Sequence, residues 1–100
     1  MLDLSVHKIF KKDLKKAQLN PTNSAKLFLY ISKLLNNEEL PKEAKNHFLS
    51  GEWSDTQEFH ISGDLLVIYM ISESSLQLLG LELTPSFLRN FKNYNFTQKL

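Results

Sequence analysis

Two histidines and two carboxylates, His47, Glu58, His60 and Asp64, fall within a span of 18 residues. A free imidazole titrates near pH ~6.5, so it gives or takes a proton at neutral pH. Cleavage of RNA by its own 2′-hydroxyl needs a base for that hydroxyl and an acid for the departing 5′-oxygen. It also needs positive charge for the phosphate. Two histidines facing one phosphate supply the acid and the base. Glu58 stands two residues before His60, a spacing that puts both side chains on one face of a strand. Asp64 closes the turn Ser62-Gly63-Asp64. There it orients or charge-stabilises an imidazolium, acts as the base itself, or bonds its own backbone as turn aspartates do. The plainer reading of the histidines is that they cap loops or sit on the surface, and of Glu58 that it is a solvated strand-face acid.

These groups need a rigid frame, and the patterning supplies one. Residues 1–6 alternate apolar and polar as a half-buried strand does. Ile9, Phe10, Leu14 and Ala17 make one face of a helix over residues 7–19, which Asn20-Pro21 ends. Asn23 or Ser24 is the expected cap of a second helix running to about residue 36, with Leu27, Tyr30, Ile31, Leu34 and Leu35 as its stripe. The two helices form an antiparallel hairpin. Residues 36–46 form a polar loop with Pro41. Strands follow over residues 56–61, 65–71 and 76–83. The middle one is apolar on both faces and therefore central. Thr84-Pro85 reads as a cap and first helical residue, leading a short helix through Phe87, Leu88 and Phe91. The fold class is α+β: a strand and a helical hairpin packed on a small twisted antiparallel sheet, with a C-terminal extension.

One hundred residues with 42% hydrophobic side chains make a single small core. The division expected is one domain over 1–92 and a tail over 93–100. The absence of cysteine excludes disulfides and thiolate metal sites and allows a reducing cytoplasm. No signal-peptide pattern and no apolar run of membrane-spanning length stand out. Net charge is only +1, but Lys8, Lys11, Lys12, Lys15 and Lys16 crowd the first helix against one acid, Asp13. They are candidate RNA-binding residues, since clustered lysines attract phosphate backbones without sequence preference; an ordinary solvated helix face is the alternative.

The segments Asn46-His47-Phe48-Leu49-Ser50-Gly51-Glu52-Trp53 and Glu58-Phe59-His60-Ile61-Ser62-Gly63-Asp64-Leu65-Leu66-Val67-Ile68-Tyr69 resemble the YafQ branch of the RelE/ParE toxins of bacterial toxin–antitoxin systems. The resemblance runs from about residue 4 to residue 71. It implies the same α+β order, and a ribosome-dependent mRNA endonuclease cutting by 2′-hydroxyl attack. His47 and His60 would share acid and base work, Asp64 would orient, and Glu58 would assist. No metal and no cofactor are implied. Trp53 would anchor its loop, Gly51 would permit a turn, and Tyr69 would pack with a polar tip. The partners implied are a cognate antitoxin, mRNA on the ribosome and ribosomal RNA. No membrane is implied, and operator DNA is met only through the antitoxin complex. The location implied is cytoplasmic.

The sequence departs from the family pattern in places. Asn46 replaces an aspartate, and Gln57 stands where many members have arginine. An ungapped continuation puts Gly80 where the family has its phosphate-binding arginine and Thr84 where it has a further histidine. Arg89, the only arginine, lies in the extension. Two alternatives therefore stand beside the nuclease. One is a non-catalytic toxin of the same fold that acts by binding, as gyrase poisons do, or survives only as an antitoxin partner. The other is a small RNA-binding module.

Overall fold

The computed structural model describes residues 1–51 and 55–83. The expected Trp53 anchor, the helix after Thr84-Pro85, Arg89 and the tail over 93–100 lie outside them. Strand β1 (Asp3–Val6) leads to helix α1 (Lys8–Ala17) and helix α2 (Pro21–Leu35). A 3-10 turn (Lys42–Ala44) precedes strands β2 (His47–Phe48), β3 (Gln57–His60), β4 (Leu65–Ser72) and β5 (Ser75–Leu83).

The helix boundaries follow from their caps. α1 ends where Gln18 turns left-handed. α2 begins three to four residues earlier than a cap at Asn23 or Ser24 would place it. Asn20 is the cap, its Oδ1 accepting from the Asn23 N–H at 2.8 Å, and Pro21 occupies the first turn. Proline suits that position, since its φ is preset and it has no N–H to leave unpaired.

The five strands form one sheet in the order β1-β5-β4-β3-β2. β1 pairs parallel to β5 and the other pairings are antiparallel, so the sheet is mixed. β4 is central and buried along most of its length, as its two apolar faces require. Both helices pack on one face, where Phe10, Leu27, Tyr30 and Leu34 meet Phe59, Val67, Tyr69 and Leu78. Alternation along the strands sends Glu58, His60, Leu66 and Ile68 to the opposite face. Leu66 and Ile68 are buried there as a separate cluster.

Candidate active site

β2 and β3 bring the chemistry together. His47 is the cross-strand partner of Glu58, so both side chains share a face. His60 joins them there, two residues along β3. The Glu58 carboxylate is fully buried, and its Oε2 lies 3.2 Å from His47 Nε2 and 3.7 Å from His60 Nε2. The imidazole rings lie stacked, their centroids 6.5 Å apart. Exposure separates the three groups: the His47 side chain is 49% exposed and the His60 side chain 13%, against 0% for Glu58. Of the three, the imidazoles are the groups that solvent reaches. The carboxylate supports them from beneath.

A backbone carbonyl fixes the His47 tautomer. His47 Nδ1–H donates to the Lys45 carbonyl at 2.7 Å. A carbonyl only accepts, so the proton sits on Nδ1. The neutral ring would then turn the bare lone pair of Nε2 toward a carboxylate oxygen, which is repulsive. The approach is attractive only when a second proton lies on His47 or on Glu58. It is an ion-pair approach rather than an aligned hydrogen bond. A buried carboxylate is costly without such partners, and two imidazoles converging on one oxygen offset that cost.

Local backbone sets up this contact. Lys45 follows the 3-10 turn in a left-handed conformation, φ 48°. That shape disfavours a residue with a Cβ by roughly 1 kcal/mol, and it turns the Lys45 carbonyl back toward the ring of His47. On the helix side of the same two strands, Tyr69 OH donates to Asn46 Oδ1 at 2.5 Å and lies 3.0 Å from Gln57 Oε1. One hydroxyl proton serves only one acceptor. With the Gln57 amide turned over, its NH2 donates to the same phenol oxygen and both contacts are satisfied. Burial pushes the Tyr69 phenol up to about 12, with the Asn46 bond pulling the other way. Asn46 precedes His47 and Gln57 precedes Glu58, so this network, anchored on the buried Tyr69, ties together the backbone on the other side of the site.

The other sequence candidates lie elsewhere. Asp64 is exposed in the β3–β4 turn and lines a cleft of about 250 Å³ with Gln18, Asn20 and Asn23. The five lysines of α1 are exposed on the helix layer, which packs over β5. Gly80 is buried in β5 beside an irregularity of the strand pairing. Sequence reasoning missed β2, the Lys45 carbonyl and the Asn46–Tyr69 bond. A two-residue strand leaves no periodic signal, and carbonyl direction is not encoded by residue type. Among the described residues no three His, Asp or Glu side chains are grouped to hold a metal ion. No helix among them is long and apolar enough to cross a membrane.

The family model of the bacterial toxin of type II toxin–antitoxin systems, YafQ, matches residues 2–88. The chain belongs to the YafQ family. The mRNA interferase toxin YafQ of Escherichia coli is 32% identical over 69 residues, covering 68% of this chain and 75% of that protein. A Haemophilus influenzae protein named as a YafQ toxin is 40% identical over 57 residues, and the match spans 57% of this chain and 56% of that protein. Among solved structures, a copper-bound mutant toxin from Helicobacter pylori superposes with a TM-score of 0.78 at 34% identity, over 83% of this chain and 94% of that one. The E. coli DinJ–YafQ toxin–antitoxin complex gives a TM-score of 0.73 at 28% identity, over 82% and 91%. Two helices on a five-stranded mixed sheet are thus the YafQ architecture, and the strands that carry His47, Glu58 and His60 belong to it.

Proposed function

We propose that this YafQ-family toxin is an mRNA interferase that cleaves RNA on the ribosome by attack of the 2′-hydroxyl on its own phosphodiester. The observation that carries this reading is the buried Glu58 carboxylate beneath two imidazoles of unequal exposure. His47 and His60 share the acid and base work. Hydrogen-bond reach is about 3 Å, so rings 6.5 Å apart bracket a single phosphate group. The proton shared by His47 and Glu58 is the one delivered to the departing 5′-oxygen. His60, the less exposed ring, takes the proton of the 2′-hydroxyl. Glu58 orients both and balances the imidazolium, and its position supports it in the orienting role ahead of Asp64. In this reading the histidines carry the proton transfers and no metal is needed. The E. coli relative assembles with DinJ, and by that likeness a cognate antitoxin is the partner of this chain in the cytoplasm.

The test is inducible expression of wild type beside His47→Ala and His60→Ala, with transcript ends mapped by primer extension. New 5′ ends inside translated codons, lost in both variants and unaffected by EDTA in a purified reaction, are the expected result. Cleavage that survives both substitutions refutes the reading. A second reading is favoured by Gly80, which is buried where the family has an arginine. A toxin without that cation would act by binding alone. It would then arrest growth with no new RNA ends, and arrest would persist in the histidine variants.

A further inference from the structure

The phosphate of a cleaved RNA needs a cation, and Gly80 cannot be its source. A β-carbon at Gly80 would lie 3.5 Å from Asp13 Oδ2. A cationic side chain starting there would meet the Asp13 carboxylate on α1 at its first carbon. Among the described residues, two lysines share a cleft with His60. Lys26 from α2 and Lys45 from the loop before β2 line one cleft of about 230 Å³ with His60, Ile61, Ser62, Gly63 and Glu43. Lys26 is tethered: its Nζ donates to the Ile61 carbonyl, next to His60, at 3.5 Å. That bond uses one of the three donors of an ammonium and leaves two to aim into the cleft. Lys45 is exposed, and its own carbonyl holds the His47 ring. The cleft holds roughly seven water volumes, enough for a phosphodiester with part of its ribose. Two ammonium groups against the single carboxylate of Glu43 leave it cationic.

We propose that this cleft, with Lys26 and Lys45 as its charged walls, receives a backbone phosphate of the RNA adjoining the bond that is cut. The inference rests on the nuclease reading and adds the subsite that holds the strand in register with His60. A flanking phosphate binds equally in the ground and transition states. Its loss therefore raises KM and leaves kcat nearly unchanged.

The test compares wild type with Lys26→Ala/Lys45→Ala, the corresponding double arginine variant, and, as a control, Lys33→Ala near the end of α2, where the side chain pairs with Glu38. Cleavage of a short RNA is followed across a salt series. Binding of a single-stranded oligodeoxynucleotide is measured by fluorescence anisotropy, because that strand keeps the phosphates but lacks the nucleophile. The double alanine variant should raise KM and Kd about 10-fold. Its slope of log affinity against log salt should shrink by about 0.7 for one lost phosphate contact. Arginine should restore both, and Lys33→Ala should change neither. Inorganic phosphate at millimolar concentration should compete weakly with the strand, since it offers one contact of several. Unchanged salt slope and Kd in the double alanine variant overturn the subsite. A lowered Tm with unchanged slope overturns it too, by assigning Lys26 to holding the turn at Ile61. A wild type that binds the strand but never cleaves RNA overturns the nuclease reading and leaves the phosphate cleft standing.

Discussion

Tyr69→Phe removes one oxygen from the layer between sheet and helices, and its consequence reverses with pH. At neutral pH the phenol serves the Asn46 and Gln57 amides. Two such bonds contribute about 1 kcal/mol each, so the variant should be less stable by about 2 kcal/mol. Burial raises the phenol from 10.0 to about 12 in the folded protein. The folded state therefore favours the protonated form. The stability carried by this shift is fully present below pH 10 and is lost as pH rises from 10 through about 12. Two pKa units correspond to about 2.7 kcal/mol, of which about 1.4 is gone at pH 11. Tyr69→Phe has no group to titrate and escapes the loss.

The gap between wild type and variant should narrow from about 2 kcal/mol at pH 8 to about 0.6 at pH 11, and vanish near pH 12. Urea denaturation of the two proteins side by side at several pH values measures it. The lysines and the other two tyrosines are common to both proteins and cancel in the difference. A gap that stays constant from pH 8 to 11.5 refutes the reasoning, because it would mean the phenol is as well solvated folded as unfolded. The same substitution loosens Asn46 beneath His47. Cleavage at neutral pH should fall by up to about 100-fold through misplacement alone, with RNA affinity kept.

Glu58→Gln should move activity and stability in opposite directions: cleavage falls by about 10²–10⁴ as the imidazoles lose their charge partner, while urea stability holds or rises because a buried charge is gone. A parallel loss of both would make Glu58 a packing residue. Asn20→Ala strips the α2 cap and should cost about 1 kcal/mol by thermal denaturation, whereas Asn23→Ala should cost far less. Asp13→Ala leaves the Leu81 N–H without the carboxylate it donates to at 3.2 Å. It should cost about 1–3 kcal/mol, and Asp13→Asn should recover most of that.

The sequence carried the parts of the fold that have a period, and lost those that do not. The β3–β4 hairpin could be registered by counting outward from Ser62-Gly63-Asp64. Pairing His60 with Leu66 then gives Glu58 with Ile68 and Gln57 with Tyr69. The shared face of Glu58 and His60 follows from the same count. The partnership of His47 with Glu58 was not legible. It depends on where a long loop returns the chain, and two strand residues give no alternation to read. The parallel pairing of β1 with β5 was hidden for a similar reason: an N-terminal strand can add to either sheet edge, in either direction, without changing its own pattern. The family resemblance assigns Asp64 the orienting role, with a turn aspartate bonding its own backbone as the alternative. In space the Glu58 carboxylate stands 3.2 and 3.7 Å from the two imidazoles, because a residue two positions away on a strand shares its face, while Asp64 is exposed in the β3–β4 turn.

Charge in this molecule is divided between two surfaces, and the division has a functional consequence. Lys8, Lys11, Lys12, Lys15 and Lys16 are exposed on α1, which covers β5 on the helix side. The imidazoles lie on the opposite face of β2 and β3. β5 and β3 are two strands apart, about 10 Å, and the packed helix layer adds a comparable thickness. We propose that the α1 lysines serve a second, larger nucleic-acid surface, such as the ribosome offers, while Lys26 and Lys45 serve the strand that is cut. Replacing all five α1 lysines by glutamine should leave cleavage of a short free RNA, and its salt slope, unchanged. Cleavage on programmed ribosomes should fall by 10-fold or more, with a shallower salt dependence. Equal loss on both substrates would place α1 beside the scissile strand, and equal indifference would reduce its lysines to a solvated helix face.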